Sequence, residues 1–123
     1  MRDKYVDKLF DHTDPHNRFW KYIEAAESDR AKFYEIVSDL SFEELQDYEE
    51  AFTQAEETLW KQGRVASSDE WEDARYYVVS QGYAYYMDVL RGVKSLPRGI
   101  DDGNPKLIYG AILRVMIDKY QDY

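Results

Sequence analysis

The chain has 123 residues with 25 acidic and 16 basic side chains, a formal net charge of −9, 44% hydrophobic residues and no cysteine. That length suits one domain with one core. The lack of cysteine excludes a disulfide framework, a thiol nucleophile and a thiolate metal site, and the apolar runs are far shorter than the ~20 residues a membrane span requires.

Helix punctuation recurs along the chain, whereas alternating strand patterns bounded by hairpin turns do not, so the expected fold class is all-α, a compact bundle of five to six helices. Residues 1–13 read as an N-terminal extension and residues 14–123 as a single helical domain. The opening residues are charged and no apolar stretch of signal-peptide length follows, so a cleaved secretion signal is not expected and a cytoplasmic location is the default. Asp14 before Pro15 offers an N-cap with proline at the first helical position, and Phe19, Trp20 and Ile23 then recur at helical spacing to about Glu27. Ser28 is the expected cap of a second helix with Phe33, Ile36, Val37 and Leu40 on one face.

Ser41-Phe42-Glu43-Glu44 forms a capping box. It opens the longest predicted helix, whose apolar stripe Leu45, Tyr48, Phe52, Ala55, Leu59 steps by three and four until Gly63. Ser67 or Ser68 then caps a fourth helix carrying Trp71, Ala74 and Val78. Gly82 either ends that helix or kinks it into a fifth segment with Tyr83, Tyr86, Met87 and Leu90. Residues 91–103 hold Gly92, Pro97, Gly99 and Gly103 and read as the longest loop. Asn104-Pro105 repeats the cap-plus-proline signal for a last helix with Leu107, Ile108, Ala111, Ile112, Val115 and Met116.

The string Trp71-Glu72-Asp73-Ala74-Arg75-Tyr76-Tyr77-Val78-Val79-Ser80-Gln81-Gly82 resembles the aromatic, acid, Arg, aromatic, aliphatic, Gln-Gly signature of an uncharacterised bacterial family, the domain of unknown function numbered 4240. Phe19-Trp20 is similar to that family's opening Phe-Trp. Leu40-Ser41-Phe42-Glu43-Glu44 with Tyr48-Glu49 is similar to its Leu-x-x-Glu-Glu and Phe-Glu elements. The resemblance runs from about residue 17 to about residue 120, and departs from the family pattern in residues 60–68 and at Ala74. It implies a helical fold, and an association of some members with toxin and immunity clusters.

The whole net charge resides in one quarter of the chain. Residues 41–73 carry eleven acids and two bases, Lys61 and Arg64, and elsewhere the two signs cancel. On the third helix, Glu43, Asp47, Glu50 and Glu57 fall within roughly 80° of one another opposite Leu45 and Phe52. One reading is a solvated face; the other is a docking surface for a basic protein, extended by Asp69, Glu70 and Asp73. Such a field repels DNA, RNA and anionic lipid, so direct nucleic-acid or membrane binding is not expected. Four charges over ~21 Å of helix is one per ~5 Å, too sparse to imitate duplex DNA at one per ~1.7 Å.

Arg75 lies near the apolar stripe of the fourth helix, where an unpaired charge would cost several kcal/mol. Glu49 and Glu56, which flank the stripe of the third helix, are the expected partners in a structural ion pair. No metal site or cofactor is expected. His12 and His16 have the His-x-x-x-His spacing of zinc ligands, but Pro15 between them starts a helix and breaks the geometry. No catalytic residue is assigned, because the serines stand at caps without a histidine to activate them and the carboxylates stand in exposed runs.

Tyr76, Tyr77, Tyr83, Tyr85 and Tyr86 crowd eleven residues, more than one helix face can bury. The function these features favour is a small acidic, non-catalytic protein-binding protein. It would be an immunity or inhibitor protein that covers a basic surface on a toxin, nuclease or other nucleic-acid-binding protein. The alternative is a stand-alone helical domain that binds a small ligand, or forms a homodimer through its tyrosines.

Overall fold

The structure, a computed structural model, describes residues 9–61, 71–100 and 103–120. Among the described residues the chain forms six helices and no strand: α1 Arg18–Ala25, α2 Arg30–Val37, α3 Phe42–Lys61, α4 Glu72–Ser80, α5 Tyr83–Leu90 and α6 Gly110–Tyr120. The 20-residue α3 is the spine of this all-α bundle. Its expected stripe Leu45, Tyr48, Phe52, Ala55 and Leu59 is fully buried, with α4 and α6 packed along it, α5 behind α4, and α2 between α1 and α6.

The core contains an aromatic cluster. Tyr48 lies at its centre, with Phe10, Phe19, Tyr22, Phe33 and Phe52 within 6.5 Å between ring centroids. Burying rings of this size contributes roughly 1.5–3 kcal/mol each, provided their polar tips are satisfied. They are: the Tyr48 hydroxyl donates to the Phe19 carbonyl at 2.6 Å, the Tyr86 hydroxyl to Ala55 at 3.1 Å, and the Trp20 indole to His12 at 2.8 Å. Phe10, in the segment expected to be an extension, is buried against Tyr22 and Tyr48, so described residues ahead of position 14 join the core.

The capping box of α3 forms as expected. Ser41 Oγ accepts from the Glu44 amide at 3.1 Å, and Glu44 Oε1 accepts from the Ser41 amide at 3.0 Å. Gly63, Ser67 and Ser68 lie outside the described residues. Gly82 separates two helices rather than kinking one: it sits at φ 105, ψ 173 as the N-cap of α5, a conformation that side chains other than glycine's resist.

Four helix starts differ from expectation: α4 begins at Glu72 with Trp71 at its N-cap position in place of Ser67 or Ser68, and the starts of α1, α2 and α6 are displaced by neighbouring groups. Asp14-Pro15 opens a turn, in which the Asp14 carbonyl accepts from the Asn17 amide at 3.0 Å, and Asn17 caps α1 by accepting from Phe19 at 2.9 Å. Ser28 sits at φ 58, outside the extended region an N-cap needs, and donates to Gln81 at 2.9 Å. Asp29 caps α2 instead, through the Ala31 and Lys32 amides. Asn104-Pro105 also makes a turn. There the Arg30 guanidinium binds the Asn104 carbonyl at 2.5 Å and the Leu107 carbonyl at 3.0 Å, while the Ile108 amide donates to Ser80 Oγ at 3.2 Å. An α-helix would pair the Asn104 carbonyl with that Ile108 amide, so α6 starts only at Gly110, although Leu107 and Ile108 are buried as expected.

Candidate functional site

The capping box fixes the rotation of α3 at its first residue, and that rotation decides which acids face outward. Glu43 and Glu50 are exposed, and Asp47 and Glu57 are half-buried. Glu43, Glu50 and Glu57 recur every seven residues, close to two turns, so they form a column along the outer side of the helix. Lys61 Nζ lies 3.4 Å from Glu57, an exposed pair of small energetic weight, and Glu50 accepts from the Gln54 amide at 3.3 Å. Among the described residues neither Glu43 nor Glu50 makes a salt bridge. Asp73 is half-buried in the first turn of α4, beside exposed Glu72, where the helix dipole favours acids. Asp69 and Glu70 lie outside the described residues.

A second set of polar side chains runs along the inner edge of α3, where Glu49, Thr53 and Glu56 stand four and three residues apart. Arg75 takes Glu56 of its two expected partners: Nε donates to Oε1 at 2.5 Å, with Arg75 2% and Glu56 4% exposed. Burial raises the Glu56 carboxyl above its ordinary range, opposed by the hydrogen bond and charge of Arg75. Glu49, the other expected partner, pairs elsewhere. It accepts from the Tyr109 hydroxyl at 2.6 Å and from Thr53 Oγ1 at 3.3 Å.

The Tyr109 ring stacks on that of Tyr76 with centroids 4.3 Å apart, and the Tyr76 hydroxyl pairs with Thr53 at 3.3 Å. Burial, and then the hydrogen bond to Glu49, push the Tyr109 phenol far above its ordinary value, so it acts as a donor and not as an acid. This seam ties α3 to α4 and α6. Sequence reasoning missed Tyr109 and Thr53; the spacing of Glu49, Thr53 and Glu56 on one edge of α3 was the available signal.

The tyrosine-rich segment turns inward over much of its length. Tyr86 is buried, Tyr83 packs on Trp20 at 5.5 Å between centroids, Tyr76 stacks on Phe52 at 5.9 Å, and Tyr85 lies beneath the Lys94 ammonium at 4.9 Å. His12 pairs with Thr58 at 3.3 Å while His16 is exposed, so the two histidines do not converge. Among the described residues no group of His, Cys, Asp or Glu is arranged to hold a metal ion, and no helix is long and apolar enough to cross a membrane. A groove of about 700 Å³ beside α2 and α6 is lined by residues that include Ala31, Tyr34, Glu35, Pro105, Ala111 and Arg114. No protein-family model, no curated protein and no solved structure matches the chain.

Proposed function

We propose that this chain is a small, non-catalytic protein-binding protein whose acidic flank, Glu43, Asp47, Glu50 and Glu57 on α3 with Asp73 on α4, covers a basic surface of another protein. The role is that of an immunity or inhibitor protein, and the target is a toxin, nuclease or other nucleic-acid-binding protein. The observation that carries this reading is the outward column of carboxylates on a rigid helix, with Glu43 and Glu50 outside every salt bridge among the described residues. A field of one sign speeds the encounter with an oppositely charged partner and disfavours wrong ones. The inward-facing seam of Arg75, Glu56, Glu49 and Tyr109 supports the reading by holding α3 against α4 and α6, so the column is presented on a fixed frame.

Parallel captures from a lysate of the native host, with the natural chain and with a Glu43→Lys, Glu50→Lys variant, test it. The protein recovered by the natural chain should be basic and absent from the variant's capture. Its affinity should fall by about tenfold or more when salt is raised from about 50 to about 500 mM. A target retained by the variant, or bound with the same affinity at both salt concentrations, would contradict the proposal.

A further inference from the structure

Beside the acidic column, the outward side of α6 presents three partly exposed apolar side chains. Ile117 is 43% and Tyr120 38% exposed, and Leu113, one turn before Ile117, is half-buried. Two contacts fix where this surface lies. The Tyr109 hydroxyl reaches Glu49, and the Tyr120 ring packs on Phe42 at 5.5 Å between centroids. Residue numbers therefore fall along α6 as they rise along α3, and Leu113 lies level with the first half of α3. At about 100° per residue, Tyr109, Leu113 and Tyr120 share the edge of α6 turned toward α3, with Ile117 at its crown. Glu43 and Glu50 stand on the neighbouring crown.

The spacing identifies what fits there. Glu43, Glu50 and Glu57 are separated by about 10.5 Å along the axis, two turns each. A second α-helix laid alongside repeats its own side chains at the same interval, so a Lys or Arg every seventh residue would meet one glutamate each. Its apolar residues, on the adjoining face, would cover Leu113, Ile117 and Tyr120. We propose that the partner docks through a basic amphipathic helix with Lys or Arg at seven-residue spacing, seated between the outer sides of α3 and α6. This rests on the function proposed above and specifies the element that is recognised.

A second copy docked through the same face does not suit the site, because its acidic column would meet this one. The ion pairs set register and encounter rate, and through the encounter rate the salt-dependent part of the affinity, while cover of the apolar side chains of α6 supplies the rest.

The test uses a synthetic helical peptide of about three heptads, with Lys every seventh residue and a leucine stripe, against a shuffled peptide of identical composition. Fluorescence anisotropy should show the heptad peptide binding at least about tenfold more tightly than the shuffled one. Glu50→Lys and Ile117→Ser should each weaken it by about fivefold or more. Both positions are exposed, and circular dichroism checks that the variants fold. Equal binding of the two peptides, or no binding of either, overturns the proposal. If binding of the captured natural partner responds to Glu50→Lys and not to Ile117→Ser, the helix-in-groove arrangement is wrong while the acidic docking surface stands. If no basic target depends on the acidic residues at all, both readings fall.

Discussion

Arg75 and Glu56 form the most costly side-chain arrangement among the described residues, two opposite charges that are both nearly excluded from water. Truncating one leaves the other buried without its counter-charge, so Arg75→Ala should cost about 3–5 kcal/mol of stability, read from the urea midpoint. The double replacement Arg75→Met, Glu56→Leu removes both charges and should return to within about 1 kcal/mol of the natural chain. An unchanged midpoint for Arg75→Ala would show that the pair does not hold α4 on α3. A pH dependence follows from the same burial. Because the Glu56 carboxyl is raised above its ordinary value of 4.5, the folded state keeps its proton at pH values where the unfolded chain has released it. The stability this group contributes is fully present below that value and lost as pH rises through the folded pKa. Relative to Glu56→Gln, the natural chain should gain stability as pH falls from neutral toward 4.5, and a gap that stays flat or narrows would contradict the assignment.

At the scale of elements, Gly82 decides whether α4 and α5 are two helices or one. Its φ of 105 and ψ of 173 belong to a region that is essentially glycine's alone, and a Cβ built there meets only the Glu24 side chain, Cγ at 3.5 Å and Oε1 at 3.8 Å, both ordinary contacts. Backbone strain and not crowding therefore sets the cost of Gly82→Ala, about 1–3 kcal/mol, measurable as a fall in Tm. No change in Tm would mean that the junction relaxes into a continuous helix. The elements readable from sequence are those whose signals are self-contained. The capping box of α3 lies within four residues, and its stripe needs only helical periodicity. The starts of α1, α2 and α6 were misplaced because Asn17, Asp29, Arg30 and Ser80 take the backbone groups near them, and of these Arg30 and Ser80 reach the start of α6 from distant parts of the chain. The seam divides in the same way. Glu56 was legible as an edge position facing a buried Arg75, but the pairing of Glu49 with Tyr109 depends on α6 running antiparallel to α3, which no local pattern encodes.

For the whole molecule, the uneven charge should carry a measurable stability cost. Glu50 has Asp47 three residues before it on the same side of α3, a like-charge spacing that destabilises a helix by a few tenths of a kcal/mol. Glu50→Lys should therefore stabilise the free protein by about 0.2–0.5 kcal/mol while weakening its complex. Stability lost together with binding would instead make Glu50 a structural residue. The docking claim is tested most directly by stopped-flow association of the captured partner with the natural chain and with Glu43→Lys, Glu50→Lys, followed across ionic strength. The account predicts an association rate that falls steeply with salt and drops by about tenfold or more in the variant at low salt, with a smaller change in dissociation. An association rate that responds neither to salt nor to reversing these two charges would contradict it.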